Sequence, residues 1–391
     1  MPKRKKKSWK ERLREKQIKH QRAIEAYRIQ RERESIKKPK QKLVGKLILA
    51  FCLLSIIIFG AYGVWQHTRL KGDTQQQPTQ TPLETGTIYI LANGTVHPAT
   101  APISKKDNWY YTFKTDIKTA IIIQRDNIII DGAGHTLQGG KIPGSKGIDL
   151  TGRNNVTVKN LNIKGFDYGI YLHSTSCCSI SRNNFTENYC NIWITYSSNN
   201  EVTSNTITNT TLNEGYGIWL KNSAKNALLK NSITLQTYAI YIGFSDHNMI
   251  STNQITNNNK GVYLYNSANN TILKNNMTKN MSGIELLQSQ NNIIKENSIT
   301  NNNIGIGIDK SQNNRIYNNN FINNTHQVLS NDSTNTWDGD HPLTEGSGGN
   351  YWSDYKERYP NALPDTSGVW KEPYIIDDKN KDKYPLINPK Q

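Results

Sequence analysis

The chain has 391 residues, a formal net charge of +17 and a hydrophobic fraction of 35%, below the usual range for globular chains. Residues 1–46 hold 19 Lys/Arg against 5 Asp/Glu, a balance of +14, whereas everything after them carries 29 against 26. A basic surface for nucleic acid is therefore excluded as a property of the bulk of the chain.

The amino-terminal arm, residues 1–46, alternates Lys/Arg with Glu between Trp9 and Lys38 and is expected to be helical in isolation. It suits contact with anionic headgroups, and without interleaved aromatics it does not suit RNA. Residues 47–65 (LILAFCLLSIIIFGAYGVW) carry no charge. At ~1.5 Å per residue they are long enough to cross a ~30 Å hydrocarbon core as one transmembrane helix. Lys46 ends the basic side and Trp65 sits where an interfacial aromatic belongs, so the arm is expected in the cytoplasm and the rest outside the cell membrane. A cleaved signal peptide at Ala61-Tyr62-Gly63 is the rival, but both the basic stretch and the apolar run exceed signal-peptide lengths. Residues 66–86 are polar, contain Pro78 and Pro82, and read as a stalk.

From residue 87 to about 330 a repeat takes over. Asn183, Asn205, Asn231, Asn253, Asn275, Asn297 and Asn319 recur at 22 residues, with one step of 26 between Asn205 and Asn231. Each is followed two positions later by an apolar residue (Phe185, Ile207, Ile233 and so on to Phe321) and preceded by another (Ile180, Val202 to Ile316). A third series supplies apolar pairs two apart, from Ile170/Leu172 to Ile306/Ile308. Spacing by two is that of a strand with one buried face. The Asn, Ser and Gly between the runs are turn residues. Such units cannot bury their own apolar face and must stack. Three strands and three turns per unit predict an all-β parallel β-helix of about ten coils, with like residues over like at ~4.8 Å and the Asn column as an internal amide ladder. Residues 331–391 are expected to cap the last coil, with Trp337, Tyr351, Trp352 and Trp370 covering its open edge.

Three stretches carry a family resemblance: TIYILANGTVHPATAPI (87–103), NIIIDGAGHTLQGG (127–140) and GIDLTGRNNVTVKNLNIKGFDYGIYL (147–172). The chain then closes with GGNYWSDY (348–355), EPYIID (372–377) and DKYPL (382–386). The whole resembles the NosD-like right-handed parallel β-helix proteins, particularly those of archaeal cell surfaces. The resemblance implies a right-handed coil, and either a copper-related accessory role or a carbohydrate-binding and sugar-hydrolysis repeat. The interval between the two closing motifs holds one Asp, Asp365, where relatives carry an Asp-rich loop; no calcium site is expected.

In each Ile-x-Leu strand the middle residue points outward. That column reads Tyr171, Trp193, Trp219, Tyr241, Tyr263, Glu285, Gly307, and the next outward column supplies His173, Lys221, Tyr265 and Asp309. Five consecutive aromatics make a strip of ~20 Å at ~4.8 Å per coil, suited to polysaccharide because sugar C–H faces lie on aromatic rings. Aromatic stacking also stabilises a sheet with no ligand, and a surface protein partner is the remaining use of the strip. The insertion 208–215 precedes the Trp219 strand and is placed to wall one side. Glu285 and Asp309 lie in adjacent coils, offset by two positions, and are the candidate pair for a glycoside hydrolase or polysaccharide lyase. No catalytic signature accompanies them, so binding is the preferred reading over catalysis.

For copper the soft donors are Cys177, Cys178, Cys190, Met249, Met281, His173 and His247. They show no metal-ligand spacing, and neither metal nor cofactor is expected. Cys177-Cys178 occupy turn positions held by Asn199-Asn200 one coil later, so they read as ladder fillers; a disulfide from Cys190 to either stays open. Nine Asn-x-Ser/Thr sequons (Asn93, Asn155, Asn184, Asn209, Asn269, Asn276, Asn280, Asn323, Asn331) are compatible with a glycosylated exterior.

Overall fold

The structure is a computed structural model that describes residues 86–208, 215–339 and 348–390. The basic arm, the apolar run 47–65, the stalk and most of the insertion before Trp219 lie outside the described residues. Among the described residues no helix is long and apolar enough to cross a membrane.

The repeat folds as an all-β parallel β-helix of about ten coils. Each regular coil contributes one six-residue strand to sheet 1 (Tyr168–His173, Cys190–Thr195 and onward), one three-residue strand to sheet 2 (Ser179–Ser181) and one to sheet 3 (Asn184–Thr186). Sheets 1 and 2 have 12 strands and sheet 3 has 10. Register is strict: Ile170 pairs with Ile192, Ile192 with Ile218, and Trp193 with Trp219. A one-residue slip would turn every apolar side chain outward, so the buried columns lock the register. Those columns, Ile170/Leu172 to Ile306/Ile308 and Phe185 to Phe321, are almost completely buried.

The turns explain the polar residues. Four positions per coil adopt a left-handed backbone, as at Ser174, Cys177, Arg182 and Glu187, with φ between +53° and +55°. The residue after each has its N–H aimed along the coil axis, where no strand accepts it, so the next coil supplies a side-chain oxygen. Asn231 N donates to Asn253 Oδ1 at 2.9 Å, and Asn253 Nδ2 in turn donates to Leu228 O and Asn275 Oδ1, each at 2.9 Å. The predicted ladder is therefore present, and it is one of four. A second runs Asn200, Asn226, Asn248 to Asn314. A third runs through Asn258, Asn280 and Asn302. The last is built of hydroxyls, Ser197 to Ser333. Cys178 is buried at the head of the second ladder, donating its N–H to Asn200 Oδ1 at 2.9 Å, while Cys177 is exposed on the turn. Cys177, Cys178 and Cys190 are all free thiols, which closes the disulfide alternative. The sequon at Asn280 is corrected: its side chain is a 3%-exposed rung and leaves no room for a glycan.

Both ends are closed. At the amino-terminal end the antiparallel strands Val96–His97 and Ile103–Asp107 cover sheets 1 and 2. At the other end the closing motifs take over the ladders. Asn350 accepts from Asn319 N at 3.1 Å, and Asn380 accepts from Asn335 N at 2.9 Å. Asp382 terminates the first ladder, accepting from Asn350 N at 2.6 Å and from the Trp352 indole at 2.9 Å. A Cβ on Gly349 would collide with that carboxylate, which is why a glycine stands there. Trp352 stacks on Phe321 and Tyr374 at 4.5 and 4.1 Å, and Trp337 is fully buried. The motifs that carry the family resemblance at this end are thus parts of a cap.

Candidate functional site

The outward face of sheet 1 differs from the rest of the coil. The outward column of sheet 3 reads Asn184, Thr206, Ser232, Gln254 and Asn276, all polar. Sheet 1 instead presents Tyr171, Trp193, Trp219, Tyr241 and Tyr263 in register, each half-buried. Beside them runs a second column that the sequence reading missed, with Tyr168, Cys190, Tyr216, Tyr238 and Lys260 in register. It was missed because strict alternation places position 168 inside. Gly169 and Ile170 are both buried, which brings Tyr168 and Tyr171 to the same face. Glycine fills that position in several coils, where a Cβ would come close to the next coil's backbone (2.4 Å from the Ala239 carbonyl oxygen at Gly217), while Asn191 and Ala239 fill it in others. Recurrence of Tyr three positions before the aromatic column was the available signal.

The rings do not lie side by side as a flat strip. Trp193 and Trp219 are near-parallel, 15° apart with centroids at 5.0 Å. That is less than two ring radii plus a ~3.5–4.0 Å van der Waals gap, so the indoles overlap like roof tiles. Tyr216 continues the stack onto Trp219 at 4.7 Å and Tyr238 at 5.2 Å. Tyr241 stands at 69° to Trp219 and leans over Gly243, where a Cβ would meet its ring at 2.8 Å. Burial raises the phenol pKa of Tyr171, Tyr241 and Tyr263, so these hydroxyls stay protonated donors. The Trp193 and Trp219 indole N–H groups are shielded from solvent and have no hydrogen-bond partner among the described residues.

The zone has built ends. Lys146 lies 4.0 Å over the Tyr171 ring and pairs with Asp149 at 2.7 Å. Lys260 lies 4.6 Å over the Tyr263 ring and pairs with Glu285 at 2.5 Å. A lysine–carboxylate pair therefore brackets the aromatics at each side, spanning five coils or ~19 Å. Past the second bracket Gly307 lacks a side chain, and a depression of about 380 Å³ opens between Lys260, Tyr263, Glu285, Leu287, Asp309 and Asn331. The two candidate carboxylates are thus brought to one hollow, and both are engaged: Glu285 by Lys260 and Asp309 by Asn331 Nδ2 at 2.6 Å. In the neighbouring column Lys221 is exposed, and His173 and Tyr265 are half-buried.

The soft donors do not converge. Among the described residues no three His, Cys, Asp or Glu side chains group as metal ligands. Cys178 Sγ points at the Ser176 and Arg153 carbonyls, Cys190 is fully buried with its thiol pKa pushed well up by that burial, and Met277 is core. Met249 and Met281 are exposed on separate coils.

Residues 116–277 and 205–357 match the family described as periplasmic copper-binding protein (NosD). The chain belongs to the NosD family. Among the described residues the donor set does not fit a copper site, because the thiols, thioethers and imidazoles lie apart. No curated protein matches the chain. Among solved structures, the NosD-family chain is similar to a periplasmic alginate epimerase (16% identity, TM-score 0.48, 66% of this chain and 81% of that one). It is also similar to the A-module of an Azotobacter vinelandii mannuronan C-5 epimerase (12%, 0.43, 68% and 82%). The tailspike protein of E. coli bacteriophage HK620, solved with a pentasaccharide, is similar at 12% identity and a TM-score of 0.46, covering 60% of this chain and 48% of its own. The likeness is one of fold, and no residue takes a role from it.

Proposed function

We propose that this protein is a membrane-anchored, extracytoplasmic module that binds a polysaccharide along the bracketed aromatic zone of sheet 1. The observation that carries the reading is the restriction of aromatics to one outward face over five consecutive coils, with a lysine–carboxylate pair at each end. Ring pairs at these distances contribute ~0.5–1.5 kcal/mol each, so the stack stabilises the coil whatever else it does. Stability alone does not account for the contrast with sheet 3, whose coils stack equally well with Asn, Ser and Thr outward. Nor does it account for two indole N–H groups left without acceptors among the described residues, each costing ~1–3 kcal/mol when buried. A sugar hydroxyl supplies such an acceptor once the rings shift to admit it.

The anchor rests on the uncharged run 47–65 behind an arm of balance +14. Alkaline carbonate extraction of membranes checks it: the full-length protein stays in the pellet, and release into the supernatant counts against it. For the ligand, full-length protein is passed over a polysaccharide panel beside a Trp193→Ala/Trp219→Ala variant. Retention lost in the variant with the β-sheet circular dichroism intact supports a binding module. Retention unchanged in the variant refutes the zone as the site, and release of shortened chains refutes binding without catalysis.

A further inference from the structure

The left-handed turn position that follows sheet 1 holds Ser174, Tyr196, Asn222, Phe244, Asn266, Gln288, Lys310 and Asp332, with φ between +46° and +54°. Asn is well suited to that backbone, and a bulky ring there is strained. Two of the eight are nevertheless aromatic, Tyr196 and Phe244, and they are 61% and 50% exposed. Neither the backbone conformation nor burial explains them, because both argue for a small polar residue.

Their placement is specific. Tyr196 N donates to Lys221 O, Asn222 N to Gly243 O and Phe244 N to Tyr265 O at 3.0–3.1 Å, so the two aromatics stack in one column with a single coil between them. Their Cα atoms are then ~9.6 Å apart, close to the length of a disaccharide unit. Each ring is held by an edge-on partner from the adjoining outward column: Tyr196 by His173 at 5.7 Å and 81°, Phe244 by Tyr265 at 5.3 Å and 84°. The intervening coil carries Lys221, and its residues 215–236 include three lysines, Lys221, Lys225 and Lys230, with no Asp or Glu. All three are exposed, and Lys221 has no carboxylate partner among the described residues. Lys221 is also two residues from Trp219, which makes the ledge continuous with the aromatic zone.

We propose that Tyr196, Lys221 and Phe244 form a subsite for an anionic polysaccharide, with two sugar rings against the aromatics and a carboxylate or sulfate group on the lysine between them. The subsite rests on the glycan-binding reading and narrows it to acidic chains. Strained, exposed aromatics with an unneutralised cation at mid-span match a charged disaccharide repeat; a neutral glycan leaves the lysine unused.

The test uses full-length protein and size-matched oligosaccharides: oligogalacturonate for carboxylates, sulfated dextran oligomers for sulfates and dextran oligomers as the neutral control. The basic arm binds polyanions unspecifically, so the quantity read is the difference between wild type and variants that share the arm. Tyr196→Asn/Phe244→Asn is expected to weaken the anionic oligomers by about tenfold or more while leaving Tm unchanged or higher, since Asn relieves the turn. Lys221→Gln is expected to lower affinity several-fold and flatten its salt dependence. Loss confined to oligogalacturonate or to the sulfated oligomers assigns the anionic group. Unchanged affinity in the Asn double variant overturns the ledge, and unchanged affinity and salt dependence in Lys221→Gln overturn the anionic class. Binding of neutral oligomers alone overturns the subsite and leaves the broader glycan reading standing; binding of none removes both.

Discussion

Replacing Asn253 by Ala should be among the most damaging single changes in the coil. Four hydrogen bonds end on its amide: from Asn231 N at 2.9 Å and Asn231 Nδ2 at 3.0 Å onto Oδ1, and from Nδ2 to Leu228 O and Asn275 Oδ1, each at 2.9 Å. The side chain is fully buried, so no water replaces them. At a net ~0.5–1.5 kcal/mol per bond the loss is about 2–6 kcal/mol, and the upper half is expected because the Asn231 N–H is left orphaned in the turn. A mid-coil break also interrupts stacking on both sides, which in a solenoid separates the array into two shorter blocks. Denaturant unfolding of the full-length protein followed by circular dichroism measures it, with Asn276→Ala as control. Asn276 makes one exposed bond, to Gln254 Oε1 at 2.9 Å, and is expected within ~0.5 kcal/mol of wild type. A loss below about 1 kcal/mol at Asn253, or equal losses at both sites, would refute the ladder as a principal source of stability.

The cap makes stability depend on pH. Burial pushes the Asp382 carboxyl up to about 7 from 3.8, against three N–H donors. A raised folded-state value means the contribution is full below about pH 4 and is lost as pH rises toward and past 7, a change of about 4 kcal/mol for this fully buried group. Wild type should therefore melt lower at pH 8 than at pH 5, and Asp382→Asn should remove most of that slope; an equal slope in the variant would show that other groups carry it. The thiols give a second check. In a Cys52→Ser background, maleimide at pH 8 should add one label to native protein, at exposed Cys177, because Cys178 is buried with its pKa pushed to about 11 and Cys190 is fully buried. Two or more labels would mean that the coil opens near residues 178–190. At the site, Gly307→Tyr occupies part of the 380 Å³ hollow and extends the aromatic column beside Glu285. Saccharide affinity should fall if a chain enters that hollow, and an unchanged affinity would confine binding to the bracketed zone.

Much of the fold was legible because a solenoid repeats its physics. The columns from Ile170 to Ile306 and from Asn183 to Asn319 state the strand period, the coil length and the ladder in one-dimensional form. The hydroxyl column Ser197 to Ser333 and the amide column Asn200 to Asn314 repeat as regularly as the first and differ only at their heads, Thr175 and Cys178; of these further ladders only the Cys178 position was read from the sequence. The second aromatic column escaped because two consecutive buried residues, Gly169 and Ile170, break the alternation on which the outward assignment depended. Ring orientation was beyond the sequence altogether. Register places Trp193 over Trp219, but whether two indoles lie flat or tile is decided by the 4.8 Å spacing acting on rings wider than that. Lys260 and Glu285 each stand out in the sequence only as isolated charges; their pairing across Tyr263 needs the coil-to-coil register.

Oxidative footprinting of the full-length protein with and without whichever polysaccharide it retains, reading each tryptophan and tyrosine by mass spectrometry, locates the saccharide on the coil. Binding along sheet 1 should protect Trp193, Trp219, Tyr241 and Tyr263, while Trp109, 49% exposed at the amino-terminal end, reacts as before. Unchanged reactivity across sheet 1 with protection elsewhere would contradict it.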